Sequence, residues 1–347
     1  MRALVTGGAG FIGSAVVRAL LARGDQVAVL DAMTYAANPQ TLAPFGERDD
    51  FALIVGDICD PQTVAHAFET ARPDAVLHLA AESHVDRSID GPGAFVRTNV
   101  VGTQVMLDAA LAWWRSQGEP ESFRFLHVST DEVFGDLGPD GAFSEDSPYR
   151  PRSPYAASKA GADHLARAWR ETYGLPVILT NCSNNFGPYQ HPEKLIPLMI
   201  LKGARGEPLP VYGDGRQVRD WLFVGDHCAA LRRVLEAAAP GETYNVGGNQ
   251  EMANIDVVRL LCSILDELRP RADGASYATQ IAFVSDRPGH DRRYAIDATR
   301  LERELGWRPR RGFESALAET VDWYLANPAW CEASVSAGAL SRRGVGR

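Results

Sequence analysis

The first 180 residues alternate short apolar runs with amphipathic stretches, and this alternation limits the fold more than any other feature of the chain. Strands are predicted at residues 3–5, 27–30, 52–55, 75–79, 123–128 and 177–179. Helices are predicted between them at residues 12–23, 61–71, 95–117 and 155–173. Nearly continuous apolar strands are typical of a parallel sheet covered on both faces. The pattern therefore predicts an α/β fold, a Rossmann-like doubly wound parallel sheet.

Connections become longer and richer in Gly and Pro after residue 181. Helical patterns recur there at residues 195–202, 227–238, 254–268 and 312–327. Open α/β sheets bind ligands at the carboxyl ends of their strands, so this half is predicted to be a smaller mixed α/β lobe placed there. We predict a Rossmann domain at residues 1–183, with a returning segment at about 219–248, and a discontinuous lobe at residues 184–330. Residues 334–347, rich in Ser, Gly, Ala and Arg, are predicted to be a disordered tail.

Composition excludes several classes of protein. The net charge of −9 argues against a nucleic-acid surface, and 45% hydrophobic with 23% charged residues is typical of a soluble globular protein. The five cysteines are scattered without a C-x-x-C pair, so neither a metal site nor a disulfide is expected. The first strand leaves no room for a signal peptide, and no apolar stretch reaches about 20 residues. A cytoplasmic protein without a membrane partner is expected.

A glycine motif follows the first predicted strand and opens the first helix. Glycines at positions 7, 10 and 13 permit a tight turn, a close approach of pyrophosphate and the packing of helix on strand. The N-terminus of that helix then offers free N–H groups to phosphates. Asp31 ends the second strand eighteen positions beyond Gly13, where a carboxylate can hold a ribose 2′-hydroxyl. With no arginine beside Asp31, the motif predicts NAD rather than NADP.

A tyrosine and a lysine stand four residues apart at the start of the helix predicted over residues 155–173. The pKa of a tyrosine in water is about 10. The ammonium of Lys159, one helical turn away, is expected to lower the pKa of Tyr155. Tyr155 is therefore a candidate general base for a sugar hydroxyl that is oxidised at the same carbon. Lys159 is expected to bind the nicotinamide ribose as well.

An acid pair follows the fifth predicted strand, where Thr130 is succeeded by Asp131 and Glu132. Adjacent carboxyl groups can act as acid and base when their environments separate their pKa values. Asp131 and Glu132 thus offer an acid and a base side by side, as the removal of water from a substrate requires. Combined with the Tyr155–Lys159 pair, they predict oxidation, elimination and reduction on one substrate.

Five longer segments carry a resemblance to a known family. They lie at residues 81–88, 129–135, 181–189, 219–221 and 286–291. The chain resembles the extended short-chain dehydrogenase/reductases over roughly residues 1–325, and within them the nucleotide-sugar 4,6-dehydratases. The resemblance implies tightly held NAD, a nucleotide-sugar substrate bound in the lobe, with dTDP-glucose expected, and a homodimer. The helices at residues 95–117 and 155–173 of both subunits would form its four-helix core.

The resemblance also implies a role for each site residue. Tyr155 deprotonates the C4 hydroxyl, Glu132 removes the C5 proton, and Asp131 protonates the departing C6 hydroxyl. Thr130 hydrogen-bonds the C4 oxygen, while Arg219 and Lys194 pair with the diphosphate. Cofactor contacts are expected from Gly7, Gly10, Phe11, Ile12, Gly13, Asp31, Ala32, Met33, Thr34, Asp57, Ile58, Leu79, Ala80, Ala81, Ser83, Thr98, Tyr155, Lys159 and Asn185. Substrate contacts are expected from Ser83, Thr130, Asn184, Lys194, Leu195, Pro210, Val211, Tyr212, Arg219, Asn254, Asp286, Arg287, Pro288, Gly289 and His290.

Three alternatives stay open at this point. A 4,6-dehydratase acting on another nucleotide hexose would need the same residues. A nucleotide-sugar 4-epimerase would share the cofactor motif and the Tyr155–Lys159 pair, but it has no use for Asp131 and Glu132. A non-catalytic NAD-binding sensor on the same fold could lose the acids or the tyrosine without harm.

Overall fold

A computed structural model gives the structure of the protein and describes residues 1–335. The predicted disordered tail lies, from residue 336 onward, outside the described residues. At its first residue the prediction is wrong, because Ser334 is buried and ends a helix. Its hydroxyl accepts a hydrogen bond from Asn38 Nδ2 at 2.7 Å, which holds the end of that helix against the body of the protein.

The described residues form twelve strands and thirteen α-helices, with shorter 3₁₀ turns between some of them. The strands are β1 (Arg2–Thr6), β2 (Gln26–Asp31), β3 (Phe51–Val55), β4 (Ala75–His78), β5 (Arg124–Thr130), β6 (Val177–Cys182), β7 (Asn184–Phe186), β8 (Leu209–Tyr212), β9 (Val218–Phe223), β10 (Thr243–Val246), β11 (Glu251–Ala253) and β12 (Ile281–Val284). The helices are α1 (Phe11–Ala22), α2 (Pro39–Leu42), α3 (Pro61–Ala71), α4 (Val85–Asp90), α5 (Pro92–Phe95), α6 (Thr103–Ser116), α7 (Pro154–Tyr173), α8 (Leu195–Ala204), α9 (Val224–Ala237), α10 (Asn254–Leu268), α11 (Thr299–Leu305), α12 (Phe313–Ala326) and α13 (Pro328–Ser334).

The main sheet has seven parallel strands in the order β10-β6-β5-β4-β1-β2-β3. The chain winds outward from β1 to β3 on one side and from β4 to β10 on the other, so the order reverses between β1 and β4. A reversal of this kind opens a crevice at the carboxyl ends of the strands, where ligands bind. The predicted α/β fold with a doubly wound parallel sheet is confirmed.

Apolar side chains from the two faces of the main sheet pack into two separate clusters. On one face, Val5 and Val29 are fully buried among residues of α1 and α9. On the other face, Leu4 and Leu30 are fully buried against residues of α3 and α6. Alternate residues of β1 and β2 thus enter opposite clusters, which explains why these strands read as continuous apolar runs.

The second half of the chain builds a smaller group of elements over the strand ends. It contains a three-stranded sheet, β11-β9-β7, and a two-stranded sheet, β12-β8. Helices α8, α10 and α12 pack behind them around Ile200, Leu261 and Leu317, all of which are fully buried. Strand β10 instead pairs with β6 in the main sheet. The domain boundaries given above stay a prediction.

The helix predicted at residues 95–117 is more complex than its pattern suggested. Between α5 and α6 the backbone forms a π-helical turn, Val96–Gly102. Such turns are rare and frequently lie at functional sites. Here the turn carries the buried Asn99, whose side-chain amide binds both the N–H of Glu82 at 2.8 Å and the carbonyl of Glu82 at 3.0 Å, in the loop that follows β4. Within residues 1–335, no helix is long and apolar enough to cross a membrane.

Candidate active site

The carboxyl ends of β1, β2, β4, β5 and β6 surround a cavity of about 360 Å³. The glycine motif forms its floor. Gly7 has a φ of +71°, and a Cβ at Gly7 would lie 2.8 Å from the backbone of Ala80. A Cβ at Gly13 would lie 2.1 Å from the carbonyl oxygen of Gly7, so neither position accepts a side chain. The floor is therefore bare backbone beside the N-terminus of α1, a surface suited to a diphosphate.

Asp31 stands at the end of β2 and lines the same cavity. Its Oδ2 accepts the N–H of Ala9 at 2.9 Å, and its Oδ1 accepts the N–H of Met33 at 2.8 Å. Burial raises the pKa of Asp31, although these two hydrogen bonds oppose the rise. Met33 itself has a φ of 49° and packs its side chain against the core cluster around Val29. Of the residues predicted to contact the cofactor, Met33 is the one that does not line this cavity in the described structure.

Helix α7 supplies Tyr155 and Lys159 to the cavity wall. The helix begins at Pro154 and is capped by Ser153, whose hydroxyl accepts the N–H of Ala156 at 3.1 Å. The ammonium of Lys159 is buried and donates to the carbonyl of Val128, on the adjacent β5, at 2.9 Å.

The expected lowering of the Tyr155 pKa is wrong for this structure. Burial raises the pKa of Tyr155 well above its ordinary value, and the nearby Glu132 carboxylate raises it further. The nearby hydroxyl of Thr130 opposes the rise in the Tyr155 pKa. Burial dominates because the phenol is about nine-tenths covered, with 8% of its surface exposed.

Strand β5 ends at Thr130, and the 3₁₀ turn Asp131–Phe134 follows directly. The Thr130 hydroxyl accepts the N–H of Glu132 at 3.3 Å, which fixes the turn, and lies 3.3 Å from Asp131 Oδ1. Asp131 is buried, and its Oδ2 has no hydrogen-bond partner among residues 1–335. Both carboxyl groups line the cavity beside Tyr155.

The two carboxyl groups have different electrostatic surroundings. Burial and the neighbouring Glu132 raise the pKa of Asp131 well above its ordinary value. Burial also raises the pKa of Glu132, but the positive charges of Arg287, Arg219 and Lys194 oppose that rise. The arrangement therefore favours a neutral Asp131 beside an ionised Glu132, the combination that a dehydration requires.

Replacing Asp131 with Asn should stabilise the protein at neutral and alkaline pH. The pKa of Asp131 is higher in the folded protein than in the unfolded chain. At a pH between these two pKa values the unfolded chain has lost the Asp131 proton and the folded protein still holds it. The free energy of unfolding therefore falls as the pH rises from about 4 toward the folded pKa. An amide stays neutral and removes that loss. We expect thermal unfolding of Asp131→Asn at about pH 8 to occur some 1–3 °C higher than in the wild type, with the difference shrinking toward pH 4. The exposed Asp140→Asn is the control, and a lower melting temperature for Asp131→Asn at pH 8 would contradict the assignment.

The predicted substrate residues fall into two groups. Ser83, Thr130, Asn184 and Lys194 line the cavity, with the Lys194 ammonium 3.1 Å from the carbonyl of Ser83. In the part of the chain that the structure describes, eleven others do not line it: Leu195, Pro210, Val211, Tyr212, Arg219, Asn254, Asp286, Arg287, Pro288, Gly289 and His290. Their contact with a substrate stays a prediction.

Two arginines of the second group nevertheless lie near the acids. Arg219 is buried and donates to the carbonyl of Asp291 at 2.9 Å. Arg287 donates to Asp86 Oδ1 at 3.1 Å, and Tyr212 donates to Asp86 Oδ2 at 2.9 Å. The lobe thus brings two guanidinium groups close enough to Glu132 to influence its pKa.

Sequence reasoning missed a cluster formed by Tyr35, Arg87, His191 and Glu193. His191 and Glu193 line the cavity, and Tyr35 and Arg87 pack against them. The Arg87 guanidinium lies 3.6 Å from the ring centre of Tyr35 and binds Glu193 Oε2 at 3.2 Å. The ring of His191 meets Tyr35 edge-on, with 5.6 Å between ring centres. Tyr35, His191 and Glu193 lie in loops and Arg87 lies in the short helix α4, so only their charge and aromaticity could have marked them. The cavity is also lined by residues that were not predicted, namely Leu30, Ala36, Ala37, Gly56, Glu82, Val128, Ser129, Cys182, Ser183, Gln190, His191 and Glu193.

A glycine-floored cavity at the reversal of a doubly wound sheet, flanked by a Tyr–Lys pair, defines the extended short-chain dehydrogenase/reductase class. The predicted resemblance to this class is confirmed by comparison with known proteins. The chain belongs to the family described as GDP-mannose 4,6 dehydratase, whose model matches residues 4–320.

Several relatives within and around this family are strongly similar to the chain. A dTDP-glucose 4,6-dehydratase of Xanthomonas campestris pv. campestris (strain B100) is 59% identical over 331 residues, covering 95% of this chain and 94% of the relative. The dTDP-glucose 4,6-dehydratase 1 of Escherichia coli (strain K12) is 54% identical, with 98% and 96% covered. The crystal structure of DesIV, a dTDP-glucose 4,6-dehydratase from Streptomyces venezuelae with NAD and TYD bound, is 47% identical and superimposes with a TM-score of 0.89, covering 96% of this chain and all of that one.

The same fold also carries another activity. A UDP-glucose 4-epimerase from Thermus thermophilus, solved as a complex with NAD, is 30% identical with a TM-score of 0.83, covering 94% of this chain and 100% of that chain. Fold alone therefore does not separate dehydration from epimerisation.

Proposed function

We propose that the protein catalyses the 4,6-dehydration of dTDP-glucose to dTDP-4-keto-6-deoxyglucose, with NAD recycled on the enzyme. The observation that carries the proposal is the placement of Asp131 and Glu132 in one cavity with Tyr155. A simple dehydrogenase or epimerase has no task for such a pair. Relatives with more than half of their residues identical are dTDP-glucose 4,6-dehydratases, which supports the nucleotide assigned to the substrate.

Both the bare backbone of the glycine motif and the carboxylate of Asp31 are suited to binding NAD. Gly7 and Gly13 leave backbone free for the pyrophosphate, and Asp31 offers a carboxylate for the adenosine ribose. No arginine lines the cavity among the described residues, which favours NAD over a cofactor with a 2′-phosphate. Bound NAD would supply the redox chemistry, taking a hydride from C4 and returning it at C6, so no external reductant is consumed.

Tyr155 and Thr130 act on C4 in this proposal. The Thr130 hydroxyl, which lies close enough to the phenol to influence its pKa, would hold the C4 oxygen. Tyr155 would accept the proton of the C4 hydroxyl as that carbon is oxidised to a ketone. For this step Tyr155 must first be a phenolate. The ammonium of Lys159, one turn away on the same helix, and the positive nicotinamide ring of bound NAD would supply the charge that favours it.

Asp131 and Glu132 act on C5 and C6. The new ketone acidifies the C5 proton, which the Glu132 carboxylate would remove. Neutral Asp131 would give its proton to the C6 hydroxyl, so the C6–O bond breaks and water departs. Glu132 then returns a proton to C5 as C6 is reduced. The cations that oppose the rise in the Glu132 pKa keep this base ionised.

A single incubation tests the proposal. The protein is mixed with dTDP-glucose without added reductant, and the products are identified by mass spectrometry and NMR. We expect the 4-keto-6-deoxy product without net formation of NADH. With UDP-, GDP- or CDP-glucose we expect kcat/KM to be lower by about tenfold or more, since their bases leave pocket groups unsatisfied.

Each alternative gives a different result in that incubation. Accumulation of dTDP-galactose would identify a 4-epimerase. Faster turnover of another nucleotide glucose would reassign the substrate. Bound NAD with no turnover of any nucleotide sugar would favour a sensor.

We also infer that two copies associate through the π-helical turn, α6 and α7, forming a four-helix core. Val96 and Val101 on this face are 52% and 44% exposed and would be covered by a second copy. Light scattering should give twice the chain mass of 37.7 kDa, and a monomer at micromolar concentration would contradict it.

A cytoplasmic location is likewise proposed and can be tested by cell fractionation.

A further inference from the structure

We propose that Asp163 is a positioning residue for the reaction: its buried carboxylate is the counter-ion that keeps Lys159 protonated and in place beside Tyr155. The inference rests on the proposed function for its catalytic consequence, but the effect of the Asp163 charge on the Lys159 proton can be measured without turnover. Asp163 does not line the cavity in the described structure, so it would act through Lys159.

The carboxylate of Asp163 is held by three side chains and is fully buried. Its Oδ1 accepts His127 Nε2 at 2.9 Å, and its Oδ2 accepts the hydroxyls of Ser129 at 2.8 Å and Tyr149 at 2.9 Å. The Tyr149 hydroxyl in turn accepts Arg167 Nη2 at 2.9 Å, which strengthens its own donation. A group that receives three donors is stabilised as an anion.

Helix geometry places this anion next to Lys159. The two residues are four positions apart on α7, so they lie on the same side of the helix. Both face β5, where Lys159 binds the carbonyl of Val128 and Asp163 binds the next residue, Ser129. Strand β5 therefore fixes the ammonium and the carboxylate at successive positions.

The other titratable groups around Lys159 do not offer a second negative charge. Burial lowers the pKa of His127 on β5 and of His78 on β4, so both rings stay neutral. Burial raises the pKa of Cys182 on β6 to about 12, which keeps the thiol protonated. Tyr155, on α7 itself, is neutral for the reason given above.

Asp163 differs from all of these groups. Burial would raise its pKa, but the hydrogen bonds of His127 and Ser129 and the charge of Lys159 bring it below the ordinary value. Burial lowers the pKa of Lys159, and the charge of Asp163 is the largest influence opposing that change. Removing a buried negative charge leaves a nearby buried cation uncompensated, so loss of Asp163 should release the lysine proton.

Direct titration of Lys159 tests whether the Asp163 charge holds the lysine proton. The chain contains only three lysines, so ¹³C,¹⁵N-lysine labelling gives three side-chain signals, and Lys159→Met assigns one of them. We expect Asp163→Asn to lower the affinity of Lys159 for its proton about tenfold or more. Ser129→Ala and Tyr149→Phe, which each remove one donor, should lower it by a smaller factor. Titration of Lys159 at the same pH in all of these proteins would overturn the proposal, whatever their activity.

Kinetics test the consequence for catalysis. With dTDP-glucose, Asp163→Asn should lower kcat about 10- to 100-fold, change KM less than about twofold, and move the alkaline decline of kcat to lower pH. In a Lys159→Met background the same substitution should cost no further kcat, because the residue it acts through is gone. An equal cost in both backgrounds would show a merely structural role.

Asp226→Asn is the matched control. Asp226 is also buried, and its Oδ2 accepts the N–H groups of Arg310 and Arg311 at 3.2 and 3.0 Å, remote from the cavity. It should leave both the Lys159 titration and the alkaline limb of kcat unchanged. Circular dichroism and thermal unfolding of each variant distinguish loss of the fold from loss of the Asp163 charge beside Lys159. An effect of Asp226→Asn on Lys159 equal to that of Asp163→Asn would overturn the assignment.

Discussion

Replacing Tyr155 with Phe is expected to lower kcat for dTDP-glucose dehydration about 10²- to 10⁴-fold, the usual contribution of a positioned general base. The substitution removes one hydroxyl and leaves the ring, which packs edge-on against Phe95 with 6.3 Å between ring centres. Helix α7 keeps its Ser153 cap and Lys159 keeps its bond to Val128. The fold and the cavity floor should therefore survive, so kcat should fall while bound NAD is retained. Steady-state kinetics and cofactor content measure the two effects.

Two other variants make this result specific. Tyr244→Phe removes a hydroxyl that donates to Glu304 at 3.1 Å, away from the cavity, and should change kcat less than about twofold. Glu132→Gln should also be slow, but it blocks the later step. On addition of dTDP-glucose its bound cofactor should become reduced and stay reduced, whereas the cofactor of Tyr155→Phe should stay oxidised. Turnover of Tyr155→Phe within about tenfold of the wild type would remove Tyr155 from the role of base.

The central sheet could be predicted because its signal is local. Strands such as β1 and β4 are buried on both faces, so each is a short run of consecutive apolar residues. The helices between them show apolar residues at the helical period. Strand β10 was missed because its four residues include Thr243 and Asn245, and its assignment depends on pairing with β6. The π-helical turn Val96–Gly102 was missed because one additional residue in a helical turn hardly disturbs the helical pattern of the sequence.

The site could be predicted wherever a contiguous motif carries it. Thr130, Asp131 and Glu132 follow one strand, and Tyr155 and Lys159 share one helical turn. The cluster that contains Tyr35, Arg87 and Glu193 is built from three segments distant in sequence, and no local pattern joins them. The direction of the Tyr155 pKa was wrong for a related reason, because burial is a property of the assembled cavity rather than of the Tyr–Lys spacing.

Replacing Trp330 with Ala is expected to cost about 3–5 kcal/mol of stability and to release NAD from the folded protein. Trp330 lies on α13 with 8% of its surface exposed and packs edge-on against Tyr189 at 5.6 Å. Its indole N–H donates to the Thr41 hydroxyl at 2.9 Å, and its carbonyl accepts Asn38 Nδ2 at 3.1 Å. Thermal unfolding measures the first effect, and NAD content after gel filtration measures the second.

The second effect follows from what the neighbours of Trp330 support. Asn38 follows the segment at residues 34–37 that lines the cavity at Thr34, Ala36 and Ala37, and Tyr189 precedes Gln190 and His191, which also line it. The two segments meet where the ring of His191 packs on Tyr35. Helix α13 thus supports two neighbouring segments of the cavity wall at once, and a void at Trp330 should loosen both.

Trp307 provides the control that separates bracing from general destabilisation. It is 7% exposed, of the same residue type, and packs in the cluster formed by α1 and α9 rather than beside the cavity edges. Trp307→Ala should lower the melting temperature by a similar amount, since the cavity left behind is of similar size. At a temperature where both variants are fully folded, Trp330→Ala should have lost most of its NAD and Trp307→Ala should have kept it. Equal retention in the two variants would mean that α13 stabilises the fold without holding the cofactor.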